Sequence, residues 1–575
     1  MCLRSKLTRL CLGWIVAATI AAGPLSLFPA GAADASSPHP RARGSRESSG
    51  LANVELRPVK LPASPGGLAL TNPVDLLLAA HLKAQGVDLA QVVSDRVFAR
   101  RVFLDLIGLL PTPRELDGFV RDSAADKRPA LVRSLLSRRE DYAIHWLAFW
   151  NDLLRNEYRG TGYIDDGRRQ ITAWLFRSLY ENRPYNRFVH ELISPVKGSE
   201  GFVKGIEWRG VVNASQRREL QAAQTTAQVF LGTNLKCASC HDSFTNQWML
   251  TDSHGLAAVF ANGPLDIYRC DKATGEKARA SFLFPEIGAI DADASRDTRM
   301  RQLADLITNP RDGRLAKTVV NRYWARLFGR GLVEPLDDME REAWHPNLLD
   351  WLAGDLIGHG YDLKHTLEVI CTSRTYQLPA TGEPKPNEPA GPFRGPISRR
   401  MTAEQFLDSV AELTGVWPQP TRDLLKIDGR GQGGQVGAVR RVLGEDKTRP
   451  NGEPSERVRA ALLMDGPLSR ALGRPNREQV VTRRDSLATM LQALELTNGT
   501  TLDSILKAAA RERVAEKPSA PQALITRAYR LALGRDATPA ETQTAGEIVG
   551  TPPSAEGVED FLWMLVMLPE FQLID

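Results

Sequence analysis

Cys237, Cys240 and His241 lie in the run Cys237-Ala238-Ser239-Cys240-His241-Asp242, where residue type and spacing answer one chemical need. Two thiols one turn apart can each form a thioether with a haem vinyl group, while the next residue offers an imidazole to the iron. This predicts one covalent haem c, tethered by Cys237 and Cys240 and ligated by His241. Three other readings of the same residues stay open. A Cys237–Cys240 redox pair calls for a preceding strand and a thioredoxin-like pattern, and neither is present. A zinc site would combine Cys237, Cys240, Cys270 and a histidine, without the second C-x-x-C pair that such sites often use. Structural disulfides are the third.

His241 serves one face of the iron, so the opposite face needs a residue from elsewhere. Met249 follows too closely to wrap around a porphyrin, His254 reads as a surface residue, and Met300 falls in a charged helix expected to be exposed. Met339, in the run EPLDDME, ranks first as distal iron ligand, followed by His345 in the same loop; an open or water-bound position is the alternative. Cys270 and Cys371 are expected either as a disulfide or as buried thiols. The charged run GRGLVEPLDDMERE reads as a solvated face and His145 as a packed core histidine. No G-x-S-x-G, H-E-x-x-H, Walker or Rossmann pattern occurs.

The elements that must position these residues read as helices, with few alternating strand patterns, so the predicted class is mostly α: multi-helix, two lobes, minor β and long loops. Leu220, Ala223, Ala227 and Phe230 mark an amphipathic helix that Gly232 should stop, placing the C-x-x-C-H run at a helix-to-turn boundary. Asn72-Pro73 predicts a cap and first helical position, and Asp141 predicts the start of a helix with Ile144, Leu147, Trp150 and Leu154 on one face, ending at Gly160. Thr112-Pro113 with Glu115, and Thr538-Pro539 with Glu541, each predict a capping box after a glycine stop, at Gly108 and Gly534.

The chain has 575 residues, 42% of them apolar, enough for two or three cores. Arg4, Lys6 and Arg9 precede an apolar run that ends near Ala30-Gly31-Ala32, which predicts a signal peptide over 1–32 and an exported protein of the periplasm or cell envelope. The formal charge of +5 includes those three basic residues, so nucleic-acid binding is not expected, and no membrane span is expected in the mature chain. Residues 33–66 read as a disordered linker, 67–262 as a helical domain carrying the C-x-x-C-H run, 263–299 as a connecting loop, and 300–575 as a second helical domain. Within the second domain, 379–398 reads as a Pro/Gly-rich linker and 429–456 as a loop.

The runs VFLDLIGLLPTPRELDGFV, HWLAFWNDLLRN, RPYNRFVHELI and LGTNLKCASCHD resemble domain-of-unknown-function family 1549. VVNRYWARLFGRGLVEPLDDM, HPNLLDWLAGDLIGHGYDLKHTLEVICTSRTYQ, ALGRPNREQVVT, LQALELTNGTTL and YRLALGRDATPAE resemble its companion, family 1553. The likeness covers about 68–262 and 300–575. It implies an exported, cytochrome-like protein of planctomycete-type bacteria, without supplying a reaction. Many relatives carry a separate cytochrome module before the family-1549 region. Many also read C-H-D-H where this chain has Ser243, so no role for that second histidine carries over. The function expected is a monohaem electron-transfer protein, or the redox half of an enzyme, with a redox partner protein; the alternative is a haem-free envelope scaffold with structural cysteines.

Overall fold

In a computed structural model the described residues are 54–64, 69–157, 171–206, 213–382, 391–418, 434–444, 457–485, 487–516 and 521–575. Helices dominate, joined by one antiparallel hairpin, Leu265–Arg269 with Lys272–Ala278, and one short pair, Arg399–Arg400 with Leu573–Ile574. The mostly α, multi-helix class is therefore what forms. No helix among the described residues is long and apolar enough to cross a membrane. The expected signal peptide lies outside the described residues.

The local start and stop signals operate as the side chains dictate. Asn72 accepts from the amide of Val74 ahead of the helix Pro73–Ala84, and Pro73 occupies the position where no amide partner is needed. Thr112 and Thr538 both close reciprocal capping boxes with Glu115 and Glu541. Gly108 and Gly534, at φ 71° and 66°, end the preceding helices. These two similar units touch: Arg96 and Arg100 donate to the carbonyls of Gly534 and Ala532. The helix Arg139–Leu153 starts two residues before Asp141, which lies inside its first turn, and Gly160 is outside the described residues. Its burial is not confined to one face, because every residue from Tyr142 to Leu153 is enclosed by neighbouring helices.

Two hydrophobic cores result. The larger gathers Trp146, Trp150, Phe176, Phe230, Tyr323 and Trp324, so helix Gly313–Phe328 packs with the helices that precede residue 263. The smaller is built around Phe406, Leu506, Tyr529, Phe561 and Phe571. Helix Asp95–Ile107 feeds both, with Phe98 and Phe103 in the first and Leu104 in the second. Its Arg101 donates to the carbonyls of Tyr376, Leu378 and Asp575, which fixes the C-terminal strand against it.

Several expectations are corrected by tertiary packing. The end of the presumed linker is docked: Val54 is buried, and the carbonyl of Glu55 accepts from Lys317. The stretch 263–299 carries the hairpin and the start of helix Arg296–Ile307 rather than loop alone. The stretch 429–456 contains helix Gln435–Leu443, and its remainder, except Gly434 and Gly444, lies outside the described residues. Of 379–398, residues 383–390 are outside them.

Candidate functional site

Helix Arg218–Thr226 runs on through a π-helical turn, Ala227–Leu231, to Gly232, whose φ of 60° ends it. A side chain is excluded at Gly232, because a Cβ there would stand 2.3 Å from Cγ of Met339. The chain then forms a short 3-10 turn, Cys237–Ser239, which begins at one cysteine and is capped by the other, Cys240. Ser239 is fully buried beneath it, accepting from Gln224 at 2.8 Å and lying 2.9 Å from Ser253 Oγ, so the turn is anchored from below. Above this anchor the Cys237 side is exposed and Cys240 is half-buried. Asp242 braces the following segment by accepting from the amide of Leu250 and pairing with Arg269 at 3.4 Å.

The His241 Nδ1–H donates to the carbonyl of Asp242 at 2.8 Å, and Nε2 makes no hydrogen bond among the described residues. Phe244 lies 4.6 Å from the His241 ring and is 82% exposed, while Met249 nearby is 42% exposed. An exposed phenylalanine thus lies beside an imidazole nitrogen without a hydrogen-bond partner and next to the two cysteines. The donor set therefore fits a covalently held haem. The group would lie on the outside of the turn, where Cys237 and Phe244 are exposed.

Each distal candidate has a defined place in the fold. Met339 is buried, and its thioether accepts from Asn321 Nδ2 at 3.5 Å in the larger core. His345 caps helix Pro346–Gly358 through Nδ1, and burial together with nearby His81 lowers its pKa. His254 is fully buried rather than exposed: Nδ1 donates to Leu250 and Nε2 accepts from Tyr268, leaving neither nitrogen free. Met300 is likewise buried rather than exposed, because its helix turns that side onto the core. Cys270, at the hairpin turn, is exposed and left-handed at φ 53°, whereas Cys371 is fully buried; no disulfide joins them, and of the two expected forms the buried thiol holds for Cys371 and not for Cys270.

The segment 329–342 is not a solvated face. Asp337 pairs with Arg322, and Glu340 pairs with Arg314 at 2.5 Å, both arginines being almost wholly enclosed. Arg314 also donates to the carbonyl of Leu231, and Arg322 to those of Gln228 and Val229. These contacts satisfy carbonyls at the π-helical turn that a regular helix end would leave unpaired.

Two further constellations escape a linear reading. Asp355, His359 and His365 bring three possible metal donors within 4.8 Å of one another. His365 Nε2 lies 2.9 Å from the Asp355 carboxylate, and the two imidazoles stack at 3.8 Å. The D-x3-H-x5-H spacing is the signal that would have found them. The other is a cavity of about 1040 Å³ bounded by helices Arg139–Leu153, Gly313–Phe328 and Ala403–Thr414. His145 reaches it as a buried neutral imidazole, its pKa pushed well down by burial and by Arg326, with Nε2 donating to Asp105. In the wall, Glu404 stays ionised against the cost of burial because Arg484 and Arg474 face it.

Fold and site together define a mostly helical protein with an anchored C-x-x-C-H surface turn and a separate arginine-lined cavity. Residues 73–264 match the family model described as PSCyt2, protein of unknown function (DUF1549), and residues 299–549 match PSD1, protein of unknown function (DUF1553). The two lie in the order that the sequence resemblance implies. No curated protein and no solved structure matches the chain.

Proposed function

We propose that the chain is an exported monohaem c-type protein that transfers electrons, alone or as the redox half of an extracytoplasmic enzyme, to or from a partner protein. The observation that carries this reading is the turn itself: two outward thiols and an imidazole with Nδ1 committed to Asp242 and Nε2 free. Bound haem supplies a one-electron iron couple. Cys237 and Cys240 would tether it, His241 would present Nε2, and the hydrogen bond from Nδ1 to the Asp242 carbonyl fixes the ring and its tautomer. Phe244 and Met249 supply apolar surface beside it. Expression in a host competent for c-type maturation tests this. Covalent haem that survives acid–acetone extraction is expected, and a colourless protein overturns the reading.

A second reading is favoured by one contact. The Cys270 amide donates to the Cys240 carbonyl, which brings a third cysteine to the turn and suits a haem-free envelope scaffold with a structural Cys240–Cys270 bond. Non-reducing peptide mapping of the exported protein separates the two.

A further inference from the structure

Nine arginines and six acidic residues line the cavity of about 1040 Å³. Five of the acids already have ion-pair partners: Asp105 with Arg399, Asp152 and Glu404 with Arg484, Glu334 with Arg483, and Asp408 with Arg459. On the basic side two guanidinium groups are left over. Neither Arg326 nor Arg400 has a side-chain hydrogen bond or ion pair among the described residues, though both are half-buried in the wall. Arg399 adds a third set of donors, because its buried Nη1 has no partner beyond the Asp105 contact made by Nη2.

Arg326 is the most exacting of these. It rests 5.8 Å from the ring centres of both Trp146 and Phe149, which hold the guanidinium in place without filling its five donors. Its position in the last turn of helix Gly313–Phe328 gains modestly from the helix dipole. That is small against the cost of withdrawing the cation from water beside Arg484 and Arg399, which Asp105 and Glu404 offset only in part. Burial and neighbouring Arg484 lower its pKa to about 10, which still leaves it charged at neutral pH.

We infer that this cavity binds a small organic anion carrying two oxyanion groups, received by the uncommitted guanidinium groups of Arg326 and Arg400. Guanidinium forks match carboxylate, phosphate and sulfate oxygens in pairs, so the shared chemistry is an oxyanion. The volume is that of an organic ligand rather than a single inorganic ion, and Phe149, Leu336 and Met401 offer apolar wall to its body. The site is distinct from the C-x-x-C-H turn, and the inference stands whether or not haem is carried there.

The test is calorimetric titration of the full mature chain with citrate and with inorganic pyrophosphate, alongside thermal unfolding. Saturable binding of at least one is expected; citrate alone would identify a carboxylate ligand and pyrophosphate alone a phosphate ligand. Arg326→Met and Arg400→Gln should each weaken that binding by roughly tenfold or more, whereas Arg511→Gln, on an exposed helix face, should leave it unchanged. Arg326→Met should also raise the thermal midpoint without ligand, because it removes a cation from beside Arg399 and Arg484; a purely structural arginine would lower it. No saturable binding by either probe, or full binding in both cavity variants, overturns the inference.

Discussion

The amide of Cys270 donates to the carbonyl of Cys240 across 2.8 Å, stapling the hairpin turn to the segment that carries both thiols and His241. The contact uses backbone atoms, so the Cys270 sulfur is not needed for it. In protein matured with haem, Cys270→Ala should keep the covalent haem content of the parent. Cys237→Ala and Cys240→Ala should each lower it sharply, because each removes one thioether. Haem staining after denaturing electrophoresis reads all three, and an equal loss in Cys270→Ala would place its sulfur in the site.

Thiol reactivity should divide the four described cysteines unevenly. Burial, reinforced by Asp105, pushes the Cys371 thiol well above its ordinary pKa, and no part of it reaches water. Maleimide should label Cys237, Cys240 and Cys270 in the reduced, haem-free native protein and Cys371 only after denaturation. Peptide mass mapping checks the order; early labelling of Cys371 would mean that its core opens readily.

Met339 packs where a metal ligand was expected. Its sulfur accepts from Asn321, and its side chain fills the space over Gly232. Met339→Ala should therefore cost about 2–5 kcal/mol of unfolding free energy, through the cavity it leaves. It should not alter the visible spectrum of haem-loaded protein. Denaturant titration and absorption of the oxidised form test both halves, and a sulfur-to-iron charge-transfer band that vanishes in the variant would reverse the assignment.

Asp312 predicts a pH dependence. Its carboxyl is fully buried, with Oδ2 unpartnered, and burial pushes its pKa up to about 7 although Arg314 opposes the shift. Below its ordinary 3.8 both folded and unfolded chains hold the proton. Between 3.8 and about 7 only the folded chain retains it, so stability falls as pH rises, by about 4 kcal/mol at most. Asp312→Asn keeps the acceptor for the Arg314 amide and removes the titration. Its advantage over the parent should be near zero at pH 4 and grow towards pH 7.5, read from urea midpoints; a constant difference across that range would sink the claim.

What the sequence reveals is what neighbouring residues decide among themselves. The capping boxes at Thr112 and Thr538 and the stop at Gly232 were legible because cap, proline and glycine act within four residues. The C-x-x-C-H turn was legible for the same reason. Burial of Met300 and His254 was not, since it depends on which helix covers them. The charged run at 329–342 reads as solvated because its partners, Arg314 and Arg322, precede it on the adjoining helix and the pairing needs the fold. The cavity is the extreme case: Arg326, Arg399 and Arg484 come from three separated segments, and no spacing rule joins them.

Arg314 and Arg322 belong to the stretch that matches the second family model, yet the carbonyls they hold, at Gln228, Val229 and Leu231, belong to the stretch that matches the first. A gene broken between them would yield one fragment with unclasped carbonyls beneath its cysteine turn and another whose Arg314 and Arg322 keep only their partners at 337–340. The pairing of the two stretches is thus a physical dependence: apart, the first would lose the donors that satisfy its helix-end carbonyls.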